Sequence, residues 1–137
     1  MNKQVTISII VMAVMSLMLG FVVHAILLDA DYKALPNIYR GEEDSAGYMP
    51  FMMLAHAMIG VGLVWVYRQG REAGDWLMQG VRFGMAVAVL STIPVFLVYY
   101  SVQPLPGMLV AKQIVFDSIG MLLMGVVVAW LNRPAAA

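Results

Sequence analysis

The chain contains no cysteine, which excludes a disulfide framework, a thiolate metal site and a thiol nucleophile. Charge is nearly as scarce: eight basic and eight acidic residues among 137 cancel to a formal net charge of zero. A soluble domain carries about a quarter charged residues, and this chain carries 12%. The polar coat of a water-soluble protein is therefore missing. Without a basic excess there is no electrostatic footprint for nucleic acid, which is excluded as a partner. What fills the composition is 62% hydrophobic residues, 13 methionines among them. The partner such a composition demands is a lipid bilayer.

Four stretches read as spans, at residues 5–28, 49–66, 81–100 and 108–131, each near the ~20 apolar residues needed to cross hydrocarbon. Of all the charged side chains, only Arg82, Lys112 and Asp117 fall inside them. Lipid imposes that partition, because a charge at a helix centre costs about 2.5–3.5 kcal/mol on insertion scales. Continuous apolar runs rule out the alternating strands of a barrel. No repeat of 20–50 residues recurs. The expected fold is all-α, a single integral membrane four-helix bundle over residues 1–137.

Lys3, Arg68, Arg71, Arg82 and Arg133 fall on one side of the spans, against Lys33, Arg40 and Lys112 on the other, which predicts that both termini are cytoplasmic. The loop 29–48 then faces outward with Asp29, Asp31, Glu42, Glu43 and Asp44. Its Tyr32, Tyr39 and Tyr48 favour the headgroup zone, so part of it is expected to lie along the outer surface as an interfacial turn or short helix that caps the bundle. Lys3, an apolar run and Val23-His24-Ala25 imitate a signal peptide. The run exceeds the usual h-region of about 7–15 residues, so we read it as a retained span; cleavage would leave three.

Spans in lipid associate through close backbone approach at small residues. Gly20 in the first span, Gly80, Gly84 and Ala88 in the third and Gly125 in the fourth supply such strips. They serve contact within the bundle or, through the Gly80 strip, a homo-oligomer or a membrane-protein partner. Pro94 removes one backbone donor and predicts a kink, with Ser91 and Thr92 placed to help satisfy the ladder.

Ionisable residues inside spans are the strongest functional pointer in such a chain. At about 1.5 Å per residue, His24 and Lys112 lie roughly 6 Å below the outer boundary, His56 roughly 10 Å and Asp117 roughly 13 Å. Arg82 sits at the inner edge and snorkels to phosphate. Gln113 shares a helix face with Asp117, whereas Lys112 is turned away from it and is expected to snorkel outward. Asp117 needs a partner from another helix, and His24, His56, Tyr99 and Tyr100 are at suitable depth.

Four uses fit these residues. His24, His56, Gln113, Asp117 and Lys112 form either a structural hydrogen-bond network or an outward-facing polar pocket for ligand binding or proton-coupled movement. His24 and His56 are also the pair a haem b cofactor would need as axial ligands, with Gly20 and Gly60 one turn deeper leaving room for the macrocycle. Met49, Met52, Met53 and His56 form a soft-metal set suited to Cu(I). No nucleophile with a base and an orienting third group can be assembled, so there are no catalytic residues to name and enzyme function is disfavoured.

The segments Asp31-Tyr32-Lys33-Ala34-Leu35-Pro36, Met49-Pro50-Phe51 with Ala55-His56, Gln103-Pro104-Leu105-Pro106-Gly107 and Lys112-Gln113-Ile114-Val115-Phe116-Asp117 resemble those of small uncharacterised four-helix bacterial inner-membrane proteins. The resemblance covers nearly the whole chain and implies a multi-pass protein of the bacterial inner membrane, without naming a functional residue. A non-enzymatic binding, transport or accessory role is the expectation that follows.

Overall fold

The computed structural model describes residues 2–133, and every regular element among them is helical. In chain order these are α1 (Lys3–Leu27), α2 (Asp29–Lys33), α3 (Glu42–Ala46), α4 (Met49–Gly70), α5 (Trp76–Val102) and α6 (Gly107–Leu131). α1, α4, α5 and α6 are long and apolar enough to cross a membrane. They run further than the apolar runs suggested. α4 continues past residue 66 to Gly70, and α5 starts at Trp76 rather than residue 81, its first turn capped by Asp75, which accepts from the Leu77 N–H at 3.0 Å. Helical bonding satisfies backbone groups at a membrane edge whether or not the side chains are apolar. Asn2 caps α1 in the same way, accepting from the Gln4 N–H at 3.1 Å.

Two stretches widen to π-helix: Phe21–Leu27 at the end of α1 and Ala88–Thr92 within α5. The second lies just ahead of Pro94, whose missing N–H disturbs the ladder, and Ser91 Oγ donates to the Val87 carbonyl at 2.7 Å. The first contains no proline. It carries His24 and closes with the Leu28 N–H donating five residues back to Val23 at 2.9 Å.

The helices pack as two close pairs, α1 with α4 and α5 with α6, joined by contact of α1 with α6. Glycine sets both seams. A Cβ on Gly60 would come within 2.7 Å of the Ile9 carbonyl oxygen, and one on Gly80 within 2.7 Å of the Gly125 carbonyl oxygen. Gly84 and Gly125 are equally tight against the facing helix, and Ala88 is buried. The Gly80 strip thus serves contact within the bundle, where backbones meet directly. Met12, Leu63, Val64, Tyr67, Met124, Val128 and Ala129 form the main core, towards the end that carries both termini. A smaller core at the opposite, loop end joins Val23, Leu28 and Leu109 with Tyr32, Leu35, Tyr39 and Phe116. There the helices part: the loop-end halves of α4 and α5 expose nearly all their apolar side chains, Phe51 and Leu90 among them.

Candidate functional site

The connection after α1 folds back over the loop end. α2 follows Leu28 directly, and Leu35 and Tyr39 close the turn through backbone bonds from Ile38 and Tyr39 to the Leu35 carbonyl at 3.0 and 3.1 Å. Burial of Leu28 beneath this turn fixes it as a roof, and Tyr32 hangs from its underside. Leu28 is apolar and the residues around it alternate with charge, so only one face of α2 is suited to packing.

Tyr32 links polar groups of α1 and α6 through the roof. Its hydroxyl lies 2.6 Å from His24 Nδ1 and accepts from Gln113 Nε2 at 3.1 Å. On the other side of the imidazole, His24 Nε2 is 3.3 Å from Asp117 Oδ2. The chain Gln113–Tyr32–His24–Asp117 thus runs from α6 through the roof to α1 and back to α6. Facing an ionised carboxylate, which only accepts, neutral His24 carries its ring proton on Nε2. Nδ1 is then the acceptor, and the Tyr32 hydroxyl donates to it. A second proton on the ring would enter at Nδ1 and oblige the Tyr32 hydroxyl to turn away.

Burial pushes the Tyr32 hydroxyl up to about 12, against the opposing effect of the Gln113 hydrogen bond. It remains a proton donor at any physiological pH. The site is only half closed: the His24 side chain is 38% exposed and that of Asp117 18%. Gln113 is 3% exposed, and its Oε1 has no hydrogen-bond partner among the described residues. A buried carbonyl oxygen of this kind is an acceptor awaiting a donor.

Lys112 has a protein partner that sequence reading did not give it. Its ammonium reaches the roof and grips both oxygens of Asp31 at 3.1 and 2.9 Å, tying α6 to the roof one residue away from the Tyr32 contact. His56 is not part of the chain. Its Nδ1 lies 2.6 Å from Ser16 Oγ, and its ring packs on Gly20, where a Cβ would meet the imidazole at 3.3 Å. Tyr99 and Tyr100 are half exposed and do not reach Asp117.

The haem arrangement does not fit this geometry. The space at Gly20 is filled by the His56 ring and that at Gly60 by the α1 backbone, while both nitrogens of His24 are engaged. Met49, Met52 and Met53 are each about half exposed on the outer part of α4. His56, the fourth member of that set, directs Nδ1 at Ser16. Among the described residues no group of three or more His, Asp or Glu side chains is placed to hold a metal ion.

Comparison with known proteins returns no match. Neither a family model, nor a curated protein, nor a solved structure aligns with the chain. The function has to be read from the residues themselves.

Tyr32, Asp31 and Ser16 were missed as polar partners by sequence reading. Ser16 had a signal, as a hydroxyl two turns from His24 on the same span. Tyr32 and Asp31 had a weaker one: with Leu28 they share helical spacing just beyond a span, so they return towards the helix they follow. A second polar group was missed at the terminus end. Asn132 and Ser8 are both almost fully buried there, and Asn132 Nδ2 donates to Ser8 Oγ at 3.3 Å and to the Val128 carbonyl at 2.8 Å. Arg68 donates to Asn132 Oδ1 at 3.1 Å and Arg71 to its backbone carbonyl at 2.6 Å.

Proposed function

We propose that this chain is a multi-pass protein of a bacterial inner membrane, with both termini cytoplasmic, and that it acts without catalysis as a binding, transport or accessory protein. Its working site is the polar chain Gln113–Tyr32–His24–Asp117 under the 29–48 roof. The observation that carries this reading is a partly exposed carboxylate and imidazole 3.3 Å apart between two spans, linked by one tyrosine to a roof that a second ion pair holds down. A purely structural network has no need of titratable groups open to the outside. The ligand chemistry follows from the acceptor on offer. The partly exposed Asp117 carboxylate suits a small ligand that brings N–H or O–H donors.

The bacterial inner membrane is supported by the resemblance of its segments to small four-helix proteins of that membrane, and the orientation by the Lys and Arg distribution. The test is amide exchange of residues 21–35 in the reconstituted full chain and in two variants at one pH. Exchange in this segment is expected to accelerate several-fold in Asp117→Asn and in His24→Gln, both still folded, while that of α4 near Gly60 stays unchanged. Unchanged exchange in the segment, with both substitutions only lowering the melting temperature, would establish a static strut.

A further inference from the structure

The two ends of the bundle dispose of their cations differently. At the loop end every Lys and Arg meets a carboxylate: Lys33 with Asp29 and Glu42 at 3.0 Å each, Arg40 with Asp44 at 2.7 Å and Lys112 with Asp31 at 2.9 Å. At the terminus end Lys3, Arg68, Arg71, Arg82 and Arg133 make no ion pair among the described residues. Asp75, close by in sequence, is used as a helix cap. Arg68 and Arg71 each spend a donor on neutral Asn132, which leaves most of each guanidinium fork open.

Aromatic residues place this end. All three tryptophans, Trp65, Trp76 and Trp130, lie in the terminus-end parts of their helices, and Trp65 and Trp130 are exposed. Arg133 holds its guanidinium 5.8 Å from the Trp76 ring and 5.6 Å from the Trp130 ring. Tryptophan rings settle at headgroup level, so the unpaired cations stand at the depth of lipid phosphates. Beside them an open cleft of about 360 Å³ is lined by Asn2, Lys3, Gln4, Ile7, Ser8 and Leu131. α1 and its cap supply an ammonium, amides and the Ile7 side chain, Leu131 comes from α6, and Asn132 links Ser8 to Arg68.

We propose that this cleft binds an anionic phospholipid, its phosphate on Lys3 with the Arg68 and Arg71 side on its rim, and an acyl chain laid along Ile7. The assignment rests on the membrane reading above and is independent of the His24 site. A lipid fits better than an acidic protein because the cations ring the helix ends at the tryptophan level and do not form a protruding face. Guanidinium forks match phosphate oxygens two at a time, and a basic recess between helix ends suits a headgroup.

The experiment uses the full chain in nanodiscs and in neutral detergent. Native mass spectrometry and thermal unfolding are read with phosphatidylglycerol, with phosphatidylcholine and with sodium phosphate. Phosphatidylglycerol is expected to be retained about fivefold more than phosphatidylcholine, with a preference that weakens at high salt. It alone is expected to raise the melting temperature. Lys3→Gln should reduce the preference about threefold while leaving the melting temperature in phosphatidylcholine unchanged, and Lys3→Arg should restore it. The Lys33→Gln, Arg40→Gln pair at the loop end should leave it intact. Equal retention of the two lipids, an equal loss from the loop-end pair, or equal stabilisation by sodium phosphate would each overturn the proposal. A chain that enters neither kind of nanodisc overturns it together with the membrane reading, whereas insertion without lipid preference overturns this proposal alone.

Discussion

The terminus end of the bundle is fastened by backbone and by neutral amide, the loop end by ionisable side chains. At the terminus end Gly60, Gly80, Gly84 and Gly125 bring helix axes into direct contact, and Asn132 has every polar group occupied while being 1% exposed. At the loop end the helices separate, α1 widens to a π-helix, and the polar contacts are made by His24, Asp117, Lys112 and Asp31, all partly open to the surroundings. A group with no protonation choice makes a permanent joint. Groups that change charge make a joint that responds to its surroundings. On the proposed function, the same four helices hold a fixed base and an adjustable mouth.

The sharpest way to break this contrast is to make the base imperfect. In Gly125→Val the new side chain would stand where Gly84 N is 2.6 Å from its Cβ, so α5 and α6 must part. We expect a loss of about 3 kcal/mol in unfolding free energy, at the upper end of overpacking costs, with the same loss at every pH. Asn132→Ala comes next. It removes a donor from Ser8, which keeps its own bond to the Gln4 carbonyl, and an acceptor from Arg68, and about 2 kcal/mol should disappear, measured by denaturant unfolding in detergent. A pH-dependent loss in either variant would mean that the base is coupled to titration and the contrast is false.

Much of the base could be read from residue types alone. Long apolar runs ending at residue 66 and resuming at residue 81 locate helices though not their ends, and glycines four apart at Gly80 and Gly84 announce a close seam, because in lipid small residues are what lets backbones meet. Asn132 escaped notice for a physical reason: it lies just past the last apolar residue, where a polar side chain normally faces water, and only the return of Ser8 and Gln4 beside it makes the position buried. At the mouth, depth along each span put His24 among four candidate partners for Asp117, and the structure joins these two. Depth says nothing about the roof. Tyr32 and Asp31 belong to a turn whose direction is decided by the burial of Leu28, a tertiary fact, and so the outward course assigned to Lys112 ignored the carboxylate folded back above it. The π-helix at His24 has no proline or other local signal to announce it.

Effects at the mouth should be smaller in energy and larger in motion. Asp31→Asn weakens a pair whose partners are 30% and 39% exposed, and screening limits the loss to about 0.5 kcal/mol. The readout that separates this from a surface pair is local. Amide exchange in α2 should accelerate several-fold while that of α4 near Gly60 stays unchanged. Uniform acceleration over both would show that the roof and the base are one cooperative unit.

The smallest effect has the clearest sign. Tyr32 keeps its proton up to about 12 in the folded protein, against 10.0 for the free side chain, because burial disfavours the phenolate. A raised value in the fold means that the unfolded chain loses this proton first. The associated stability is complete below pH 10 and is lost as the pH climbs towards 12. Melting curves across that window should therefore slope downward in the unaltered protein and less steeply in Tyr32→Phe, which has no proton to lose. The same variant severs His24 from Gln113, so amide exchange of residues 21–35 near neutrality should accelerate as well. Altered slope at high pH with unaltered exchange near neutrality would make Tyr32 a packing residue of the roof, and would leave the Asp117–His24 contact without its connection to the roof above it.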